Sequence, residues 1–405
     1  MMLPCLLNSI NTIDRFDSCL ENFFNANFPE SINIRGTGNS FVYFNFKKSL
    51  DLLLSKFISF SNVLLPDNQS SDINSFFTSN EVVQSNTIYL NLYLDDFQLA
   101  NPLLRKSSLK NSITGIYFRV ITTDNLNFSK RENIHVLSLV GSKIFKEHQS
   151  AIFEYIAREI NPFLTSPYLA MVNNETRLVN IRVGFFSTDF LAASFVLGLK
   201  VSFNHAFCCR FCFCPKENFF SCFSEENVRL RSHDSFISGW NTAAELEDGQ
   251  DHFGIARDSA IKFFDIPSFS QLFPPCIDHD IFEGILPKVV KFALNYFNHN
   301  RLLSFATFNA RIKAFKFSGK DKQGFPLVDF DAVTRIRFTA SEGYTFSRFF
   351  LLFLDGISKD DPVYLIVQHL VDIIRVAMSF SFSENSLVIL DNLIEFFTEV
   401  VFKIL

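Results

Sequence analysis

The order of the apolar runs constrains this chain most. Thr87–Tyr93 alternates, with Ile88, Leu90 and Leu92 apolar, and Gly115–Thr122 and Ile134–Val140 repeat the strand-like period of two. Only then comes a helical run, Glu147–Ile160, with Ile152, Tyr155, Ile156 and Ile160 at helical spacing, followed by a fourth strand, Leu178–Phe186. Three strands before the first helix predict an antiparallel meander. The helix-then-strand step predicts a crossover back onto the same sheet.

Acidic residues close two of these strands. Asp95-Asp96 follows the first, and Asp189 follows the fourth. The element order is that of an RNase H-like α/β core, in which the first and fourth strands are neighbours and acids at their ends meet. Asp95, Asp189 and Glu283 are then candidates to hold two Mg²⁺ ions roughly 4 Å apart, which need carboxylates from separate elements. Each also has a plainer role. Asp95-Asp96 can be a strand-end turn, Asp189 can cap the following helix, and Asp280 with Glu283 has capping-box spacing.

The expected layout is a mixed N-terminal region (1–83), the α/β core with the first two acids (84–204), a Cys/His insertion (205–279) and an all-helical C-terminal region with the third acid (280–405). Within 1–83, Asp17–Phe28 and Ser49–Phe60 suggest short helices, and Arg35-Gly36-Thr37-Gly38 reads as a turn rather than a phosphate loop. Asp361-Pro362 reads as a helix cap followed by Pro at the first helical position. Pro287 predicts a kink or a fresh helix start. At 48% hydrophobic and 20% charged the chain is globular in class. Its 53 Phe read as bulky core filler rather than a binding surface. No apolar run is long enough for a membrane span.

The net charge of −5 argues against a broadly basic nucleic-acid binder but leaves room for a local basic groove. Arg105, Lys106 and Lys110, just after the first acids, are placed to track phosphates. A second basic stretch, Arg311 to Lys322, reads as a solvated face, and His369 as a histidine of an apolar helix. Of eight Cys, Cys208, Cys209, Cys212, Cys214 and Cys222 cluster, which fits a reducing compartment and a metal. Cys209-x-x-Cys212 spacing lets two thiolates reach one Zn²⁺, and Cys276-x-x-His279 offers a second pair. The alternative is that these thiols are small buried hydrophobes.

Four ordered segments resemble CACTA-type transposases of the DDE, RNase H-fold class. Leu92-Tyr93-Leu94-Asp95-Asp96-Phe97 with Asn101-Pro102-Leu103 is similar to the first-aspartate motif, and Asp189-Phe190-Leu191 with Gly198 and Ser202-Phe203 to the second. Cys209-Arg210-Phe211-Cys212 is similar to the family's Cys-x-x-Cys. Pro274-Pro275 through His279-Asp280-Ile281-Phe282-Glu283-Gly284 resembles its histidine and glutamate segment.

The resemblance runs from about Thr87 to the C-terminus. It implies Asp95, Asp189 and Glu283 as catalytic acids on Mg²⁺ or Mn²⁺, and Cys209, Cys212 and His279 around Zn²⁺. It also implies DNA (transposon ends and target) as partner, a homo-oligomer if active, and a nuclear location. Cys276 stands where the family usually has Asp, and Glu342 competes by position for the third acid. No N-terminal DNA-binding module is evident, which suggests a truncated or inactive copy. The rival expectation is a non-catalytic, zinc-stabilised DNA- or protein-binding module.

Overall fold

A computed structural model describes residues 29–57, 59–63, 86–98, 112–121, 133–202, 204–219, 225–247, 249–266, 269, 272–319, 336–379 and 383–404. The chain divides into two units: Met1–Lys216 with Leu230–Pro274, and Glu217–Arg229 with Pro275–Leu405. The first is mixed α/β; the second is helical among its described residues.

The first unit is built on a seven-stranded sheet. Its strands are β1 (Glu30–Asn33), β2 (Ser40–Tyr43), β3 (Thr87–Gln98), β4 (Ser112–Val120), β5 (His135–Gly141), β6 (Tyr168–Val172) and β7 (Glu175–Ser187), in the order β1-β2-β5-β4-β3-β7-β6. β3, β4 and β5 form the expected antiparallel meander. Helix α2 (Ser142–Thr165) then carries the chain back so that β7 lies parallel to β3. Helix α1 (Phe46–Leu54) is capped by Asn45, whose side chain accepts from Lys48 N, and starts and ends earlier than the Ser49–Phe60 expected.

Alternation explains the layering. Leu90, Leu92 and Leu94 of β3 and Ile116 and Phe118 of β4 are buried in the same core as Ile152, Phe153, Ile156 and Ile160 of α2. The parallel ladder skips one residue: Leu90 faces Val183 but Asn91 faces Phe185, leaving Gly184 over. Beyond the skip Phe186 still lies opposite Leu92 and is fully buried.

Three short strands were not expected. β1 and β2 form a hairpin around the Arg35–Gly38 turn, where Gly36 and Gly38 take φ of 77° and 70°. β6 pairs with β7 through Asn173-Asn174, both at positive φ, a two-residue hairpin turn. The helix expected over Asp17–Phe28 falls outside the described residues.

Within the stretch expected as a Cys/His insertion (205–279), several side chains join the sheet's core. Phe236, Trp240, Ile255, Ile261 and Phe269 are buried with the sheet residues. The indole of Trp240, on helix α4 (His233–Ala243), donates to Leu197 O at 2.9 Å. The polar look of this stretch hid apolar residues at helical and turn spacing.

In the second unit a π-helical segment, Asp278–Ile285, runs into α5 (Leu286–His299), with Pro287 in the first turn of α5. α6 (Phe305–Ala314), α7 (Ala340–Phe353), α8 (Pro362–Ala377) and α9 (Glu384–Ile404) follow. Asp361 caps α8 as read, accepting from Val363 N and Tyr364 N. Phe297, Phe308, Phe346, Phe350 and Phe353 are buried together, so phenylalanine here is core filler. Among the described residues no helix is long and apolar enough to cross a membrane.

Candidate functional site

Asp95 and Asp189 arrive side by side because β3 and β7 run parallel. Tyr93 pairs with Ser187, and the Thr188 hydroxyl continues the match by donating to Leu94 O at 3.0 Å. Asp95 and Asp189 are each one residue further on. Asp95 opens to solvent and accepts the Tyr93 hydroxyl on Oδ2 at 3.2 Å. Its carboxyl pKa is raised, first by desolvation, then by the negative charges of Asp189 and Asp96. Bonds from Tyr93 and the Asp96 backbone oppose the rise.

Asp189 also serves as the N-cap of α3 (Phe190–Val196). Its Oδ1 accepts from Ala192 N at 2.6 Å. An ionised carboxylate has about four lone-pair sites, so one capping bond leaves it able to ligate. The far end of α3 is fastened: Ser259 Oγ donates to Val196 O at 2.7 Å, and Ala256 N donates to Gly198 O at 2.9 Å. Gly198 has φ of 73°, and a Cβ there would strike Arg257 O.

The neighbouring acid has a different job. Alternation turns Asp96 to the opposite face, where it accepts the hydroxyls of Thr114 and, at 3.2 Å, Ser142, the first residue of α2. Ser142 in turn lies 2.9 Å from Ser112. Asp96 is therefore a strut between β4 and α2.

Cys209 and Cys212 come together as the spacing predicts. Phe211 N donates to Cys209 Sγ at 3.4 Å. Burial and the adjacent Cys209 push the Cys212 thiol up to about 11. Cys208 and Cys214 are buried, and Cys214 donates to the neighbouring Pro215 carbonyl. Two arginines that the sequence did not single out hold this loop. Arg231, 3% exposed, donates from Nε to Cys209 O (3.1 Å) and Cys212 O (3.2 Å) and from Nη2 to Phe253 O (2.6 Å). Arg210 donates to Pro274 O and stacks its guanidinium on Phe190, the residue after Asp189.

In the second unit Cys276 Sγ lies 3.2 Å from His279 Nδ1, and Cys276 N donates to Asp280 at 3.0 Å. Glu283 is exposed; its Oε1 accepts from Ala340 N at 3.1 Å, and its Oε2 lies 4.0 Å from His279 Nε2. Glu342 is occupied in a capping box with Thr339. Arg311 donates to Phe353 O and Asp355 O, a structural role, and His369 stacks on Phe396 at 4.3 Å. Arg105, Lys106 and Lys110 lie outside the described residues.

The structure thus brings together Asp95 with Asp189, Cys209 with Cys212, and Cys276 with His279. Among the described residues no three His, Cys, Asp or Glu side chains gather into a group that could hold a metal ion. Each thiol-bearing pair offers two side chains of the types that ligate Zn²⁺, half of what a tetrahedral site needs. The Asp95–Asp189 pair supplies the oxygen donors that Mg²⁺ or Mn²⁺ prefers. No family model matches the chain, and no curated protein matches it.

Proposed function

We propose that the chain is a transposase-like DNA nuclease and strand transferase of the DDE class, built on an RNase H-like core. The observation that carries this reading is the arrival of Asp95 and Asp189 at the same end of two adjacent parallel strands. The meander-then-parallel strand order supports the core assignment. The antiparallel β6 beside β7 departs from a simple parallel continuation. Glu283 belongs to the second unit, and the proposal rests on the first two acids.

Asp95 and Asp189 would hold Mg²⁺ or Mn²⁺. Bound there, the metal supplies a lowered pKa for the attacking water or 3′-hydroxyl and neutralises charge on the phosphodiester. The protein's part is to keep two carboxylates aimed and rigid. β3 fixes Asp95 by its ladder to β4, and the cap on α3 fixes Asp189. Cys209 and Cys212 would hold Zn²⁺, with Cys276 and His279 as a further candidate pair. DNA is the partner, the working form a homo-oligomer, and the location nuclear.

One observation favours the rival, a non-catalytic zinc-stabilised binding module: Asp189 already has a structural task as a cap. The test is cleavage of plasmid DNA by the full chain with Mg²⁺ or Mn²⁺. Asp95→Asn and Asp189→Asn, each with an unchanged circular-dichroism spectrum, are expected to lose on the order of 10²-fold or more. Cleavage that survives both substitutions sinks the reading.

A further inference from the structure

Beside Asp95 the outer face of the sheet is aromatic. Tyr93 and Tyr117 are cross-strand partners with ring centroids 5.9 Å apart, tilted by 41°. Tyr117 leans along β4 over Gly115, filling the space where any other residue would place its Cβ. Gly115 is itself the cross-strand partner of Asp95. The phenol therefore ends beside that carboxylate, where burial and then the Asp95 charge push its pKa up to about 12. Tyr93 is 39% exposed.

The same face carries cations further along. Arg119 lies opposite Asn91 and Arg182 opposite Tyr89, so both stand on the side of the sheet that bears Tyr93 and Asp95. Burial lowers Arg119 to about 10, which leaves it charged at neutral pH.

A half-exposed aromatic pair, two guanidiniums beside it and an acidic end suit one ligand class. Successive bases of a single strand present π-faces that stack on aromatic side chains, while its phosphates follow cations. A duplex keeps those π-faces inside its own stack. The geometry points to Tyr93 and Tyr117 as a stacking platform for an unpaired base of single-stranded DNA, with Arg119 and Arg182 tracking its phosphates toward Asp95. The inference rests on the proposed role of Asp95 and Asp189 and adds to it the state of the substrate: the strand is unpaired where it meets the acids.

The experiment is fluorescence anisotropy with the full chain in EDTA, comparing a labelled single-stranded 20-mer (about one to five OB-fold site sizes) with its duplex. Single-stranded DNA is expected to bind at least about 10-fold tighter. Tyr93→Ala and Tyr93→Leu are each expected to weaken it by roughly 5- to 150-fold, the range base stacking gives, while Tyr93→Phe stays within about two-fold. Arg119→Gln and Arg182→Gln are each expected to reduce the salt slope by about one.

Equal affinity for duplex overturns the platform, as does Tyr93→Ala or Tyr93→Leu binding like the parent, or Tyr93→Phe falling as far as Tyr93→Ala. An unchanged salt slope in both arginine variants overturns the phosphate track. Binding in EDTA needs no turnover. A chain that binds through Tyr93 yet never cleaves with metal refutes the nuclease reading alone. A cleaving chain indifferent to Tyr93→Ala refutes the platform alone.

Discussion

The carboxylate of Asp189 accepts the backbone N–H of Ala192 at 2.6 Å, so the acid that follows β7 also starts a helix. Its structural and chemical tasks are separable. Asp189→Asn keeps a good cap and is expected to melt within a degree or two of the parent, whereas Asp189→Ala is expected to cost about 1 kcal/mol. Both are expected to lose metal-dependent cleavage. Differential scanning calorimetry beside the cleavage assay checks this. If Asp189→Asn cleaves like the parent, Asp189 is a cap and nothing more.

Gly115 is where Tyr117 needs an empty Cβ position. Gly115→Ala is expected to destabilise the first unit by about 1–3 kcal/mol, the usual cost of overpacking. Adding Tyr117→Ala removes the obstructing ring and is expected to recover part of that loss. A double-mutant cycle by urea denaturation measures the coupling. Additive effects would mean that the ring does not depend on the glycine.

His135 gives a pH signature away from the acids. Burial, and then Lys56, pushes its pKa down to about 4 from 6.5. Between those values the unfolded chain takes up a proton that the native imidazole refuses, so stability falls as pH drops through 6.5 toward 4. The loss is expected to reach up to about 3 kcal/mol at the acidic end. His135→Phe is expected to flatten that part of the stability-against-pH curve, read from urea midpoints at pH 7 and 5. An unchanged slope would exclude His135 as its source.

Arg231 serves three carbonyls, those of Cys209, Cys212 and Phe253. Arg231→Lys cannot span them with one ammonium and is expected to cost about 1–3 kcal/mol, with Arg231→Ala at least as costly. Cys209→Ser should leave that scaffold standing but lower the zinc retained after dialysis, measured by mass spectrometry of the metal. Equal zinc in parent and variant would remove Cys209 from the ligand set.

The meander, the crossover and the β3–β7 neighbourhood were legible because each strand carries an alternating apolar run long enough to read. Asp95 and Asp189 followed from strand ends alone. What escaped depends on distant partners. Strand β6 is five residues long, and its one local signal, Asn173-Asn174 between alternating runs, is weak beside a long helix. Arg210 and Arg231 look like surface charges until the loop folds over them. The importance of Gly115 appears only with the β3–β4 register, which places it opposite Asp95. The stretch 205–279 misled because a polar average conceals single buried side chains such as Trp240.

The unmatched residue in the β3–β7 ladder has a consequence for length. Val183 and Phe185 face consecutive residues of β3, so Gly184 is slack. Deleting Gly184 would close the ladder into continuous register and leave everything downstream, Asp189 included, opposite its present partners. A deletion at Phe185 or Phe186 would draw on the same slack but would move Gly184 opposite Asn91. β7 can therefore lose one residue here without re-aiming the acid, while a second loss would pull Asp189 back by one step and reverse its side.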